Sequence, residues 1–143
     1  DLGIKDANNM GAAMAPAAFS TIQAHMTDFH RTQEDFDLIV TGDLGQVGKE
    51  ALLALARKEG LPLGGKLVDC GCMVFDPEKQ DVHAGGSGCG CSAAVLNSFV
   101  MHRFESGDFK NILFLSTGAL MSPTSSMQGE SIPGIAHLVN IKI

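Results

Sequence analysis

The stretch Phe36-Asp37-Leu38-Ile39-Val40-Thr41-Gly42-Asp43-Leu44-Gly45 decides the fold class. Its first six residues read as a short, mostly buried strand with branched apolar side chains at its centre. Gly42 to Gly45 then turn the chain, and Asp43 with Gln46 three places on reads as a capping box for a helix over 46–59. Gly60 supplies a left-handed stop to that helix, and Pro62 prevents its continuation. A strand that feeds a helix in this way is a building unit of parallel sheets.

The flanks repeat the pattern. Upstream, Met10, Met14, Ala18, Ile22, Met26 and Phe29 recur every three or four residues and predict a helix over 9–31, with Pro16 near its start. Downstream, 66–75 reads as an extended segment and Asp76-Pro77-Glu78-Lys79 as a turn. A third helix to about Glu105 turns Val95, Leu96, Phe99, Val100 and Phe104 inward, and Gly107 ends it. Residues 111–117 form a buried strand, 118–134 a Ser/Pro/Gly-rich loop, and 137–143 a last strand. No short internal repeat interrupts this order. The α-β-α-β-α-β-β order predicts an α/β domain: a mostly parallel sheet with helices on its faces and an antiparallel last strand across the long loop.

At 143 residues the chain is expected to be one domain, 1–143. Apolar residues make up 45% and charged residues 18%, which places it among packed globular chains. The formal net charge is −6 and there is no basic stripe, so nucleic acid is not an expected partner. Trp and Tyr are absent, which argues against stacking platforms for bases. No apolar run approaches the ~18 residues of a membrane span. The charged start, Asp1 to Asp6, does not read as a secretory leader. The chain starts without Met and reads as part of something longer.

The least ordinary stretch is His83-Ala84-Gly85-Gly86-Ser87-Gly88-Cys89-Gly90-Cys91-Ser92. Its glycines leave backbone N–H groups unshielded just before a helix start, where a carboxylate or phosphate can bind without a cation. Gly88-x-Gly90-x-x-Ala93 matches only the loosest dinucleotide fingerprint, because the loop does not directly follow its strand and Asp108 precedes rather than ends one. No Lys-Ser/Thr follows, so it is not a phosphate-binding Walker loop. The alternative is that the glycines serve tight helix-to-sheet packing.

Cys70, Cys72, Cys89 and Cys91, with His83, are soft metal ligands, but the one-residue spacing within each cysteine pair is short for structural zinc. Packed thiols are the favoured reading, and no metal or cofactor is expected. A helix start would lower the pKa of Cys89 or Cys91 and make either reactive. His25, His30 and His102 read as surface or boundary residues, Asp43 as a cap and Asp69 as a boundary residue. There is no Gly-x-Ser-x-Gly elbow.

Three motifs resemble a known family: Asp6-Ala-Asn-Asn-Met-Gly-Ala-Ala-Met-Ala-Pro-Ala-Ala18, the run from Asp76 through Val95, and Ser131-Ile-Pro-Gly-Ile-Ala-His137. Together they resemble the stage V sporulation protein AD (SpoVAD) family of spore-forming bacteria, over essentially the whole chain. The resemblance implies the C-terminal half of a thiolase-like fold. It also implies a role in binding dipicolinic acid and moving it, with calcium, into the developing spore. The implied partners are the N-terminal half of the same protein and other proteins of the same sporulation operon. The implied place is the cytoplasmic side of the forespore or spore inner membrane, held peripherally.

The resemblance implies no enzyme. In ketoacyl-synthase relatives the strand matching Phe36–Thr41 ends in a motif with a catalytic His, and that position falls here on Gly42. A second catalytic Asn or His falls within Ser87–Gly90, and Ser116 in Ser116-Thr117-Gly118 stands where thiolases carry Cys. A Gly side chain cannot act as base or donor. The ligand is therefore expected on His83, Gly85, Gly86, Ser87, Gly88, Cys89, Gly90, Cys91 and Ser92, with Asp43 and Gln46 at a second helix start facing the same pocket. The alternatives are an acyl-transfer enzyme using Cys89 or Cys91, and an enzyme-derived interaction module. A homo-oligomer is expected, because thiolase-like halves pack through a broad apolar face.

Overall fold

A computed structural model describes residues 1–143. Strand β1 (Leu38–Thr41) lies between β2 (Leu67–Asp69) and β3 (Asn111–Ala119), parallel to both, and β4 (Gly134–Lys142) closes the edge antiparallel to β3. The sheet is thus mostly parallel with an antiparallel last strand, as the sequence predicts.

The period-2 alternation of the strands splits the core in two. Ile39, Leu113 and Leu115 face helices α1 (Met10–Asp28) and α2 (Gly45–Lys58) and pack there with Ala15, Ala18, Ile22, Leu52 and Ala56. Val40, Ile112 and Phe114 face the other way, onto one helical segment over 89–105. That segment is α4 (Cys89–Val95), a π-helical turn (Leu96–Val100) and α5 (Met101–Glu105). Its buried residues Cys91, Val95, Val100 and Phe104 are spaced four, five and four apart, the wide π-turn absorbing the odd residue. Burial of a fully enclosed side chain such as Ile22 is worth about 2–3 kcal/mol, and such residues fix both helix layers on the sheet.

The structure corrects several sequence expectations. The first helix ends at Asp28, not residue 31, because His30 adopts a left-handed φ of 51° and Arg31 N–H closes on Met26 O at 2.9 Å. The extended segment 66–75 is a strand only to Asp69, and a helical turn α3 (Cys70–Met73) follows, because the Asp69 carboxylate caps Cys72 N–H. Cys70 and Cys72 both lie on this turn, beyond the end of the strand. The loop 118–134 is shorter than expected: β3 runs to Ala119, β4 starts at Gly134, and α6 (Pro123–Met127) sits between them on a Ser122–Ser125 capping box. No helix is long and apolar enough to cross a membrane.

Candidate functional site

The carboxyl ends of β1, β2 and β3 converge on two aspartates. Asp69, the last residue of β2, is completely buried. Its carboxylate accepts from Thr41 Oγ1 (2.7 Å), Leu44 N–H (2.9 Å), Gly45 N–H (3.0 Å) and Cys72 N–H (3.2 Å). A buried carboxylate needs such saturation. It caps α2 and α3 together, so it is an organising residue rather than a boundary residue.

Asp43 behaves differently from its expected part. It forms no capping box with Gln46, because Leu44 occupies the cap position and α2 starts at Gly45. Instead Asp43 reaches across the sheet end: Thr117 Oγ1 donates to its Oδ1 at 2.8 Å and Gly88 N–H donates to its Oδ2 at 2.7 Å. The Asp43 N–H donates back to Thr117 Oγ1 at 2.9 Å. One half-buried side chain thus ties β1, β3 and the glycine loop together.

The loop lies on α3 and α2 by backbone contact. Gly86 N–H donates to Gly71 O at 2.7 Å, and Gln46 N–H donates to Ala84 O at 2.7 Å. A Cβ at Gly85, whose φ is +112°, would stand 2.6 Å from Gly71 O, so only glycine permits this approach. Leu44 and Gly45 N–H are held by Asp69, and Gln46 N–H by Ala84 O, so three donors at the start of α2 are already engaged.

The loop separates two hollows and divides the expected ligand residues between them. A cleft of about 330 Å³ lies between the start of α1 and the loop. Asn8, Asn9, Met10, Met14 and Val47 form its walls, and Asp43, Gly85, Gly86 and Ser87 its inner side. A smaller hollow of about 170 Å³ takes Gln46 and His83 together with Cys72, Phe75, Val82 and Gly85. Gly88, Cys89, Gly90, Cys91 and Ser92 line neither hollow. Ser92 Oγ instead covers Gly42, where a Cβ would meet it at 2.7 Å and Thr117 Oγ1 at 2.9 Å.

The thiols are all free. Burial, then the charge of Asp69, pushes Cys70 up to about 12 and Cys72 up to about 11. Burial, then Asp43, raises Cys91 as well, so the expected lowering at the helix start is overturned for it: desolvation outweighs the dipole. Cys89 is exposed. No three His, Cys, Asp or Glu side chains gather as a metal ion requires. His25 is half-buried against Phe29 and Phe36, while His30 and His102 lie at the surface.

Sequence reasoning places neither the start of α1 nor Thr117 at the site, and it does not give Asp69 its central part. An aspartate ending a strand just before Cys-Gly-Cys, and Asn9 three residues before Ala12, are both cap signals. Asn9 does accept from Ala12 N–H at 3.2 Å.

This chain matches the family model for stage V sporulation protein AD (SpoVAD) over residues 1–142. It belongs to the SpoVAD family. It is also 47% identical over 137 residues to Stage V sporulation protein AD of Bacillus subtilis (strain 168). That match covers 96% of this chain and 40% of the relative, so the chain spans well under half of the relative's length. The motifs of this SpoVAD-family chain now have places. Asp6–Ala18 builds the outer wall of the cleft, and the run from Asp76 through Val95 contains its inner wall. Ser131–His137 leads into β4 and joins the first motif's approach, with Ile132 N–H donating to Ile4 O at 2.7 Å.

Proposed function

We propose that this chain is a non-catalytic, ligand-binding half of a thiolase-like sporulation protein, and that the cleft at the start of α1 receives dipicolinic acid as its calcium salt. The observation that carries the reading is the lining of the cleft. Met10, Met14 and Val47 offer an apolar wall to a pyridine ring, and Gly85 to Ser87 present backbone rather than side chains. No Lys or Arg lines the cleft, and Asp43 does. A bare dianion beside that carboxylate is repelled, whereas calcium held by the ligand's own ring nitrogen and carboxylates accepts a further oxygen from Asp43. Calcium here is cargo with the ligand.

The non-catalytic part is supported by the surroundings of Gly42, filled by Ser92 and Thr117, and by the burial of the Cys91 thiol. The Gly42 position carries no side chain to act as base, the Thr117 hydroxyl donates to Asp43, and the Cys91 thiol is buried. The partners in this reading are the rest of the same family protein, a second copy, and other proteins of the sporulation operon, at the cytoplasmic face of the forespore membrane.

The test is calorimetric titration with dipicolinate, with and without calcium, of this chain and of a longer family protein. Calcium-dependent binding by this chain, weakened about tenfold or more by Val47→Glu, is the expected result. Binding by the longer protein alone would assign a shared site. Binding by neither, or binding unaffected by Val47→Glu, would overturn the cleft.

A further inference from the structure

Asp43 is the only charged residue that lines the cleft, so the direction of its carboxylate sets the field there. That direction is fixed from outside the cleft. Thr117 lines no part of it, yet the Thr117 hydroxyl donates to Asp43 Oδ1 at 2.8 Å and accepts from Asp43 N–H at 2.9 Å. Both bonds of this hydroxyl go to one residue, 74 positions away along the chain.

Three features build this contact. β1 ends at Thr41, opposite Leu115 of β3, so Thr117 stands two residues further on, beside Asp43. Gly42 leaves the space: a Cβ there would meet Thr117 Oγ1 at 2.9 Å, so a side chain at 42 would displace the hydroxyl. The antiparallel pairing of Thr117 with Ala136 of β4 holds its backbone in place. An ionised aspartate has about four acceptor positions on its two oxygens. The Thr117 hydroxyl takes one on Oδ1 and Gly88 N–H one on Oδ2, which leaves lone pairs on both for a cation in the cleft.

We propose that Thr117 is a positioning residue for the cleft: its hydroxyl holds the Asp43 carboxylate in the orientation that meets an entering cation. This role rests on the proposed binding place and concerns a residue that touches no ligand. A carboxylate set in advance spares the ordering that a free one would undergo on binding.

The test is calorimetric titration with calcium and dipicolinate of Thr117→Val, Thr117→Ser, Asp43→Asn and the pair Asp43→Asn with Thr117→Val. The variants are made in this chain and, in parallel, in a longer family protein. Thr117→Val keeps the shape and removes the hydroxyl, whereas Thr117→Ser keeps the hydroxyl and removes the methyl. Affinity is expected to fall about tenfold in Thr117→Val, in line with one charge-assisted contact, and to stay at the parent level in Thr117→Ser. In the Asp43→Asn background Thr117→Val loses most of its effect, because the two residues act as a unit. A dispersed nuclear magnetic resonance spectrum shows that each variant is folded, and Thr117→Ala, which also lacks the hydroxyl, serves where the valine variant does not fold. Equal affinity in the parent and Thr117→Val, an equal loss in Thr117→Ser, or an undiminished effect in the Asp43→Asn background overturns the role of Thr117 and leaves the cleft standing. Absence of binding by both parent proteins overturns the cleft and this role with it.

Discussion

Two helices start at the same end of the sheet, and their starts are sealed in unlike ways. The start of α2 is closed by Asp69, fully buried, with four donors on one carboxylate. The start of α4 is held by Asp43, half-exposed, through the single N–H of Gly88. Both use the same chemistry, a carboxylate on orphan donors. The difference is access to water. A buried seal has no substitute when broken, whereas an open one can be replaced by solvent or by another anion. The first start is therefore scaffold, and the second is a joint that solvent can reach.

The largest expected effect breaks the first seal. Asp69→Ala strands three buried N–H groups and the Thr41 hydroxyl, and should cost about 3–5 kcal/mol or prevent folding, as read by denaturant unfolding. Asp43→Ala should cost only about 1 kcal/mol, since water reaches its partners, while hydrogen exchange at the Gly88 amide accelerates well beyond that at Gly45. Equal losses in the two variants would erase the contrast.

The effect that is smallest near neutral pH concerns the thiols near both aspartates. Cys70 is held at about 12 against an ordinary 9.0, so below pH 9 it is neutral whether folded or unfolded and costs nothing. As pH rises from about 9 to 12 only the unfolded chain ionises it, and stability should fall across that window. Cys70→Ser should flatten the decline in an alkaline unfolding series. In thiol labelling near neutral pH, Cys89 should react first, and Cys70 and Cys91 only after unfolding.

The sequence made the layers legible because they rest on periodicity. The branched apolar run in Phe36–Thr41 and the four-residue stripe from Met14 through Met26 need no tertiary information. The site was harder to read, because it rests on contacts between distant segments. Gly85 was visible as a loop glycine, but that it lies on Gly71 depends on two backbones meeting. Asp43 stands three residues before Gln46, as a capping box requires, yet Gly88 and Thr117, far along the chain, compete for its carboxylate and win. Asp69 showed nothing local except its place before Cys-Gly-Cys. The loop from His83 to Ser92 is the least ordinary stretch of the sequence, but its halves serve different ends. Gly85 to Ser87 line a cleft, and Gly88 to Ser92 form a joint between loop, strand and helix.

The widened turn at Leu96–Val100 bears on how this chain can change in length. Its buried seam already runs four, five, four, so a gene that loses one codon between Leu96 and Val100 restores an even four-residue repeat and leaves Phe104 on the sheet. The same loss inside α1, whose seam of Met14, Ala18, Ile22 and Met26 has no slack, rotates everything beyond it by about 100° and carries Met26 out to water. The helix behind the cleft can absorb a deletion that the helix in front of it cannot.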